Sequence, residues 1–412
     1  MESVVLSAWG VRCVVCEMVR RVWDGRGNGG SGFDLGGGHI VGGAGLKYAA
    51  SAALVAAVSE SPFSHVVIER SGLLAAGNFI VDRFKIIDYY PREEMLASIL
   101  RESSGNGGGP YNILKDLAKM GAGFPLAAAG LLGDDATGDS IVADCEAHGI
   151  DTTGLSRTPA APTSYTDAFT VESTGRRTFF HQRGANSLLA PEHFDFSASS
   201  MRVFYLGYFM LLETLDRVDV SGRTGASRVL EAARAAGMVT VADMVSVEHA
   251  DFVRAAHASL PYLDWFILNE VEAGKLVGRS LRLAGDGGEI DWAGCGEAAL
   301  LLVGFGVRCG VVIHFVEGAV AAVADGRVYG QGSVRLPAGF IRGATGAGDA
   351  FAAGFIHGVH EGFPVTVCLR QAVSAAAMCL SDPTTSEGLG PLADCLALGE
   401  EHGFAPAGLG AD

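Results

Sequence analysis

A chain of 412 residues is long enough to bury a large core, and 49% hydrophobic against 18% charged residues makes it globular rather than disordered. A formal net charge of -16 with no run of Lys or Arg excludes a nucleic-acid partner, and no apolar stretch reaches the roughly 18 residues needed to span a bilayer, which excludes a membrane span. Glycine supplies 58 residues, about twice its usual share, so many tight turns are expected.

Residues 1–70 are glycine-dense at 25–45 and alanine-rich after that, without sustained periodicity, and read as an extension outside the core fold. Cys13 and Cys16 form a CxxC with no second pair at zinc spacing, and all eight cysteines are expected to be reduced thiols. With mixed charges at 12–26 in place of a signal peptide, a cytoplasmic protein is expected.

From residue 71 the texture alternates. SGLLAAGNFIVD at 71–82 reads as a buried strand ending at Asp82. The loop GGGPYN at 107–112 contains Gly108, Gly109 and Asn112 and opens a helix over 113–120; a second helix spans 139–148. Residues 162–186 alternate apolar with polar and turn at 173–175, the pattern of an antiparallel hairpin; a small β lid contributed mainly by about 155–186 would exclude competing water. Arg176, Arg177 and His181 on that hairpin read as exposed charges. Strands at 201–206, 239–242, 265–268 and 310–313 then alternate with helices at 227–236 and 293–303, and Asp243 and Asn269 fall at strand ends. The fold class is α/β, a mostly parallel central sheet with helices on both faces, whose ligands bind at the carboxyl ends of strands.

The string GATGAGDAFAAGF at 343–355 follows. Gly346, Ala347 and Gly348 carry almost no side-chain bulk, and Ala350, Phe351, Ala353 and Ile356 give the next residues an apolar helical face. Backbone N–H groups at such a helix start make an anion hole, and Asp349 in the first turn can take a proton from a hydroxyl. Phosphoryl transfer to an alcohol uses both. The plainer reading makes Asp349 a cap on an ordinary strand-to-helix turn.

Taken in order, GNFIVD, GGGPYN, the GAN ending at Asn186, the NxxE of Asn269 and Glu272, and GAGD resemble the motifs of the ribokinase family, the PfkB-type carbohydrate kinases, over residues 71–412. The resemblance implies a ribokinase-like fold and ATP-dependent phosphorylation of a sugar or sugar-like polyol. It makes Asp349 the general base and Gly346, Ala347 and Gly348 the anion hole. It assigns Asp82, Gly108, Gly109, Asn112 and Asn186 to substrate, and Asn269, Glu272, Asp243, Gly318 and Thr345 to the nucleotide and Mg²⁺ side, with Glu272 reaching the metal through water. A monovalent cation on backbone carbonyls is left open, and a homodimer through the lid is expected by analogy. Departures bear on the substrate. Ribokinases proper carry Lys where Gly109 stands, FYLGYFM at 204–210 lacks their Glu, and VIHFVEG at 312–318 keeps only Gly318 of the nucleotide-side TxGxxG. The hairpin aromatics Tyr165, Phe169, Phe179 and Phe180 can stack on a base as readily as on a sugar face, so an adenosine-like nucleoside is the second acceptor class, and a non-catalytic sugar or nucleotide sensor the third reading.

Overall fold

The computed structural model describes residues 70–285 and 287–409. The extension read at 1–70, with its CxxC, lies outside the described residues except for Arg70. The strands are β1 (Leu73–Gly77), β2 (Ile80–Ile87), β3 (Ile99–Gly107), β4 (Leu126–Gly133), β5 (Asp151–Thr158), β6 (Tyr165–Val171), β7 (Arg177–Gln182), β8 (Val203–Phe209), β9 (Val239–Met244), β10 (Trp265–Asn269), β11 (Gly310–Phe315), β12 (Gly318–Val323) and β13 (Val328–Gly332). The helices are α1 (Gly109–Met120), α2 (Ala136–Ala147), α3 (Glu213–Asp216), α4 (Gly225–Ala235), α5 (Phe252–Ser259), α6 (Glu270–Val277), α7 (Trp292–Gly304), α8 (Ala347–Glu361), α9 (Val365–Cys379) and α10 (Leu392–His402).

Nine strands form one sheet in the order β13-β12-β11-β10-β9-β8-β1-β4-β5. Pairing is parallel from β11 to β5 and antiparallel at β11/β12 and β12/β13. Strand periodicity divides the core between two faces. Phe204 and Leu206 join one buried cluster with side chains of α4, α5, α6 and α7, while Val203 and Tyr205 join the other with α1, α2, α8 and α9. Helices therefore cover both faces, as the alternating pattern predicts.

The segment read as one strand over 71–82 is two. Gly77 ends β1 at φ 126°, where an added Cβ would lie 1.8 Å from the Gly207 carbonyl oxygen. After Asn78 and Phe79 the chain leaves the large sheet and enters a second, four-stranded one, ordered β3-β2-β6-β7. Asp82 is thus the third residue of β2 and not a strand end. The hairpin at 162–186 forms as β6 and β7, but β2 and β3 supply the other half of the small sheet, and 155–158 belong to β5 of the large one. The missed half alternates poorly: β3, ILRESSGNG, exposes its first six residues, so it has no apolar face for a sequence pattern to find.

The cysteines in the described residues are free and mostly buried. No helix among those residues is long and apolar enough to cross a membrane.

Candidate active site

Gly346 caps α8 in the left-handed region at φ 80°, and an added Cβ would lie 2.3 Å from the Thr385 carbonyl oxygen. Only glycine meets both demands. Ala347 and Gly348 begin the helix, so their N–H groups have no carbonyl partner within it and sit at the positive end of its dipole. Asp349 follows, 7% exposed.

Two donors hold its carboxylate. The Asn112 amide, in the first turn of α1, donates to Oδ2 at 2.8 Å, and the Tyr208 hydroxyl, from β8, donates to Oδ1. Burial pushes the Asp349 carboxyl up to about 6, and the hydrogen bonds from Tyr208 and Asn112 oppose that shift. Asn106, near the end of β3, donates to Asn112 Oδ1 at 2.7 Å and to Ser386 Oγ at 2.8 Å. That pair of bonds orients the Asn112 NH₂ toward Asp349.

Asp82 stands over Gly107, where an added Cβ would fall 2.5 Å from its carboxyl carbon. Burial first, and then the charge of Asp349, raise its carboxyl to about 7, against a hydrogen bond from Thr166. Gly108 is the N-cap of α1 at φ 85°, with its Cα against the Asn78 carbonyl; Gly109 lies beneath Tyr205 and Tyr208. Asp82, Gly108, Asn112 and Asp349 therefore converge from both sheets. Asn186 stands apart: it is fully buried, donates to the Phe79 carbonyl at 3.2 Å and braces the crossing between the sheets. Its Oδ1 has no hydrogen-bond partner among the described residues.

On the other side of Asp349, a cavity of about 260 Å³ is lined by Tyr208, Asp243, Ser246, Asn269, Glu272 and His314, among others. Asn269 caps α6, accepting from the N–H groups of Val271 and Glu272, while Glu272 Oε2 accepts from the Asn269 N–H at 2.9 Å. This reciprocal capping box is a structural use of both residues. Ser246 donates to Glu272 Oε1 at 2.9 Å, and burial still raises the Glu272 carboxyl to about 7. Burial, then the charge of Asp349, lifts Asp243 well above the carboxylate range, against a hydrogen bond from the Tyr205 hydroxyl. Among the described residues no three His, Cys, Asp or Glu side chains group as ligands for a metal ion.

A larger, apolar cavity of about 510 Å³ is lined by Val316, Gly318, Leu336, Ala347, Phe351 and Leu380, among others. Gly318 turns into β12 with its Cα against the Gln331 carbonyl, so a side chain there would collide with β13. His314 and Gly348 line both cavities, which therefore meet at the first turn of α8. Burial lowers the His314 imidazole to about 4 and keeps it neutral. Thr345 lines neither cavity; its hydroxyl accepts from Arg177 of β7. The hairpin charge read as merely exposed thus reaches the GAGD loop. A third cavity, about 390 Å³ between Arg183, Asp216 and His249, contains none of the predicted site residues.

Sequence reading missed Tyr208, Asn106, Ser386 and His314. Tyr208 and His314 sit in apolar strands where period-two alternation assigns them to packing, and Asn106 touches its partners only through the fold.

Comparison with known proteins gives a consistent picture. Residues 77–390 match the description "pfkB family carbohydrate kinase". A 5-dehydro-2-deoxygluconokinase of Shouchella clausii is 24% identical over 308 residues, covering 72% of this chain and 86% of its own length. A deoxyribokinase of Salmonella typhi is 24% identical over 311 residues, covering 75% and 92%. Arabidopsis thaliana ribokinase complexed with ribose and ATP superposes with a TM-score of 0.65 at 20% identity, over 80% of this chain and 98% of its own. The Methanocaldococcus jannaschii nucleoside kinase superposes with a TM-score of 0.61 at 13% identity, over 80% and 98%.

Proposed function

The chain belongs to the pfkB family of carbohydrate kinases, and from that membership we propose that it moves the terminal phosphoryl group of ATP to a hydroxyl of a sugar or sugar-like polyol, with Asp349 as general base. The observation that carries this reading is the placement of Asp349: buried, in the first turn of α8, where a polar cavity and an apolar one meet. Asp349 takes the proton of the acceptor hydroxyl, whose oxygen forms the new bond to phosphorus as the bond to the departing diphosphate breaks. The N–H groups of Ala347 and Gly348 stabilise charge on the transferred oxygens. Asp82 accepts from a neighbouring hydroxyl, and Asn112, its oxygen held by Asn106 and its amide N–H by Asp349, bounds the same place.

The apolar cavity suits the base of the nucleotide, with Gly318 leaving its mouth open, and Thr345 bounds the phosphate side. Asp243, Asn269 and Glu272 would hold Mg²⁺ through water, and the ion would supply positive charge to the phosphates when bound. The two carboxyl groups and the Asn269 amide that line one polar cavity beside Asp349 support that use. The small sheet serves as a lid, tied to the GAGD loop through Arg177 and Thr345.

Asp349→Asn tests the assignment. With MgATP and an acceptor found by thermal shift across sugars and nucleosides, turnover should fall by about 10²–10⁴, with acceptor affinity little changed. Unchanged turnover would remove Asp349 from the chemistry, and a preference for nucleosides in the same panel would select the adenosine-like class.

A further inference from the structure

The hydrogen bond between Tyr208 and Asp349 is, in chemical kind, the bond that an acceptor must make. An alcohol approaching the base donates O–H to a carboxylate oxygen before transfer, and the Tyr208 phenol already does so at Oδ1 while Asn112 occupies Oδ2. We propose that Tyr208 holds the place of the acceptor hydroxyl on Asp349, keeping the base from water until a bound acceptor displaces it. The inference rests on the kinase reading given above.

Three features of the fold support such a role. The main chain of Tyr208 is fixed, because its N–H donates to Asn78 Oδ1 at 2.6 Å, so movement is confined to the side chain. The ring is half-buried and forms part of the wall of the 260 Å³ cavity beside Asp349, so its hydroxyl stands at the edge of the site and not within the core. Its inner edge lies over Gly109. A Cβ at 109 would stand 2.8 Å from the ring carbon Cε1 and 2.3 Å from the Tyr205 hydroxyl, so the ring fills the room that any larger residue at 109 would need. Two departures noted separately in the sequence, glycine at 109 and the FYLGYFM at 204–210 that lacks a Glu, are neighbours in space.

The exchange is selective because its two sides differ in reach. Water that displaced the phenol would gain one hydrogen bond and lose one, against a ring whose packing and tether keep it close. A sugar also makes its other contacts, at Asp82 and around Asn112, and that remote binding energy drives the substitution. No covalent change occurs at Tyr208; it is a positioning residue acting through Asp349.

Hydrolysis of MgATP by the full-length protein, with no acceptor present, tests the proposal. Tyr208→Phe keeps the ring and removes the hydroxyl, and should raise ADP release by about tenfold or more, the scale of losing one hydrogen bond to a charged group. The double variant Tyr208→Phe with Asp349→Asn should hydrolyse no faster than Asp349→Asn alone. A merely structural tyrosine would lower hydrolysis or leave it alone. If Tyr208→Phe still shows the wild-type melting shift with MgATP but hydrolyses at the wild-type rate, the proposal is overturned, as it is if the increment survives in the double variant. If MgATP shifts the melting of neither protein, the donor reading falls first and takes this inference with it. Tyr208→Leu, which also empties the ring's place, should show the same increment if Tyr208→Phe is poorly folded.

Discussion

Asp349 combines a functional asset with a cost to stability. Its carboxyl sits at about 6, above the ordinary 3.8, because burial disfavours the charge. In the proposed role the ionised form is the base, so kcat/KM should fall as pH drops through about 6, and the limb should follow Asp349 rather than the acceptor. In folding the sign reverses. A carboxyl raised in the native state binds more protons there than in the unfolded chain between about pH 4 and 6, so its favourable contribution is complete at low pH and lost as pH rises. Asp349→Asn should therefore be more stable than wild type at pH 8 and gain little at pH 4, read from urea midpoints of the unliganded proteins; equal gains at both pH values would mean that the charge is already compensated. Asp82, raised to about 7 by burial and by Asp349, adds to the same penalty. Carboxylates gathered at a stability cost are the residues that a polyol and a phosphate-bound cation would satisfy.

The elements of the candidate site were the more legible part of the sequence, because short-range physics builds them. GAGD declares itself locally: glycine at a left-handed cap, small residues behind it, then an apolar face that buries Ala350, Phe351 and Ile356. Gly346→Ala should accordingly lose about 1–2 kcal/mol from the left-handed conformation alone, and more from the 2.3 Å approach to the Thr385 carbonyl. Its urea midpoint should fall, and its MgATP-induced melting shift should shrink more than that of Ala347→Gly. What the sequence hid is what only the fold brings together. Asn112 lies 237 residues from Asp349, and Tyr208 lies 141 residues from it, so no window contains both members of either pair. The β2 and β3 half of the small sheet was hidden for another reason: its outer strand carries ESS where a buried face would need apolar residues. Even the β1/β2 break escaped notice, since Gly77–Phe79 lies within an apolar run and turns only because β8 passes at contact distance.

At the scale of the molecule, the site is a seam between two sheets, and its integrity depends on how each is closed. Every inner strand of the nine-stranded sheet finds both neighbours between residues 73 and 332, and the small sheet is complete between 80 and 182. The described chain begins with a specific anchor: the Arg70 guanidinium donates to the carbonyls of Ser199 and Met201 at 2.9 and 3.1 Å, tying the approach to β1 beside the start of β8. Gly72 extends that tie, its N–H donating to His360 Nε2 at 2.8 Å at the end of α8. These contacts hold the first strand in register with the helix that bears Asp349. A chain shortened to begin at Arg70 keeps all of them, whereas one beginning at Leu73 loses the Arg70 and Gly72 bonds. The first should melt within about 2 °C of the full chain, a change below about 1 kcal/mol for a domain of this size, and keep its MgATP-dependent turnover. The second should melt several degrees lower and lose turnover with it. A large drop already at Arg70 would make residues 1–69 part of the folded unit, and the extension read from their composition would be wrong.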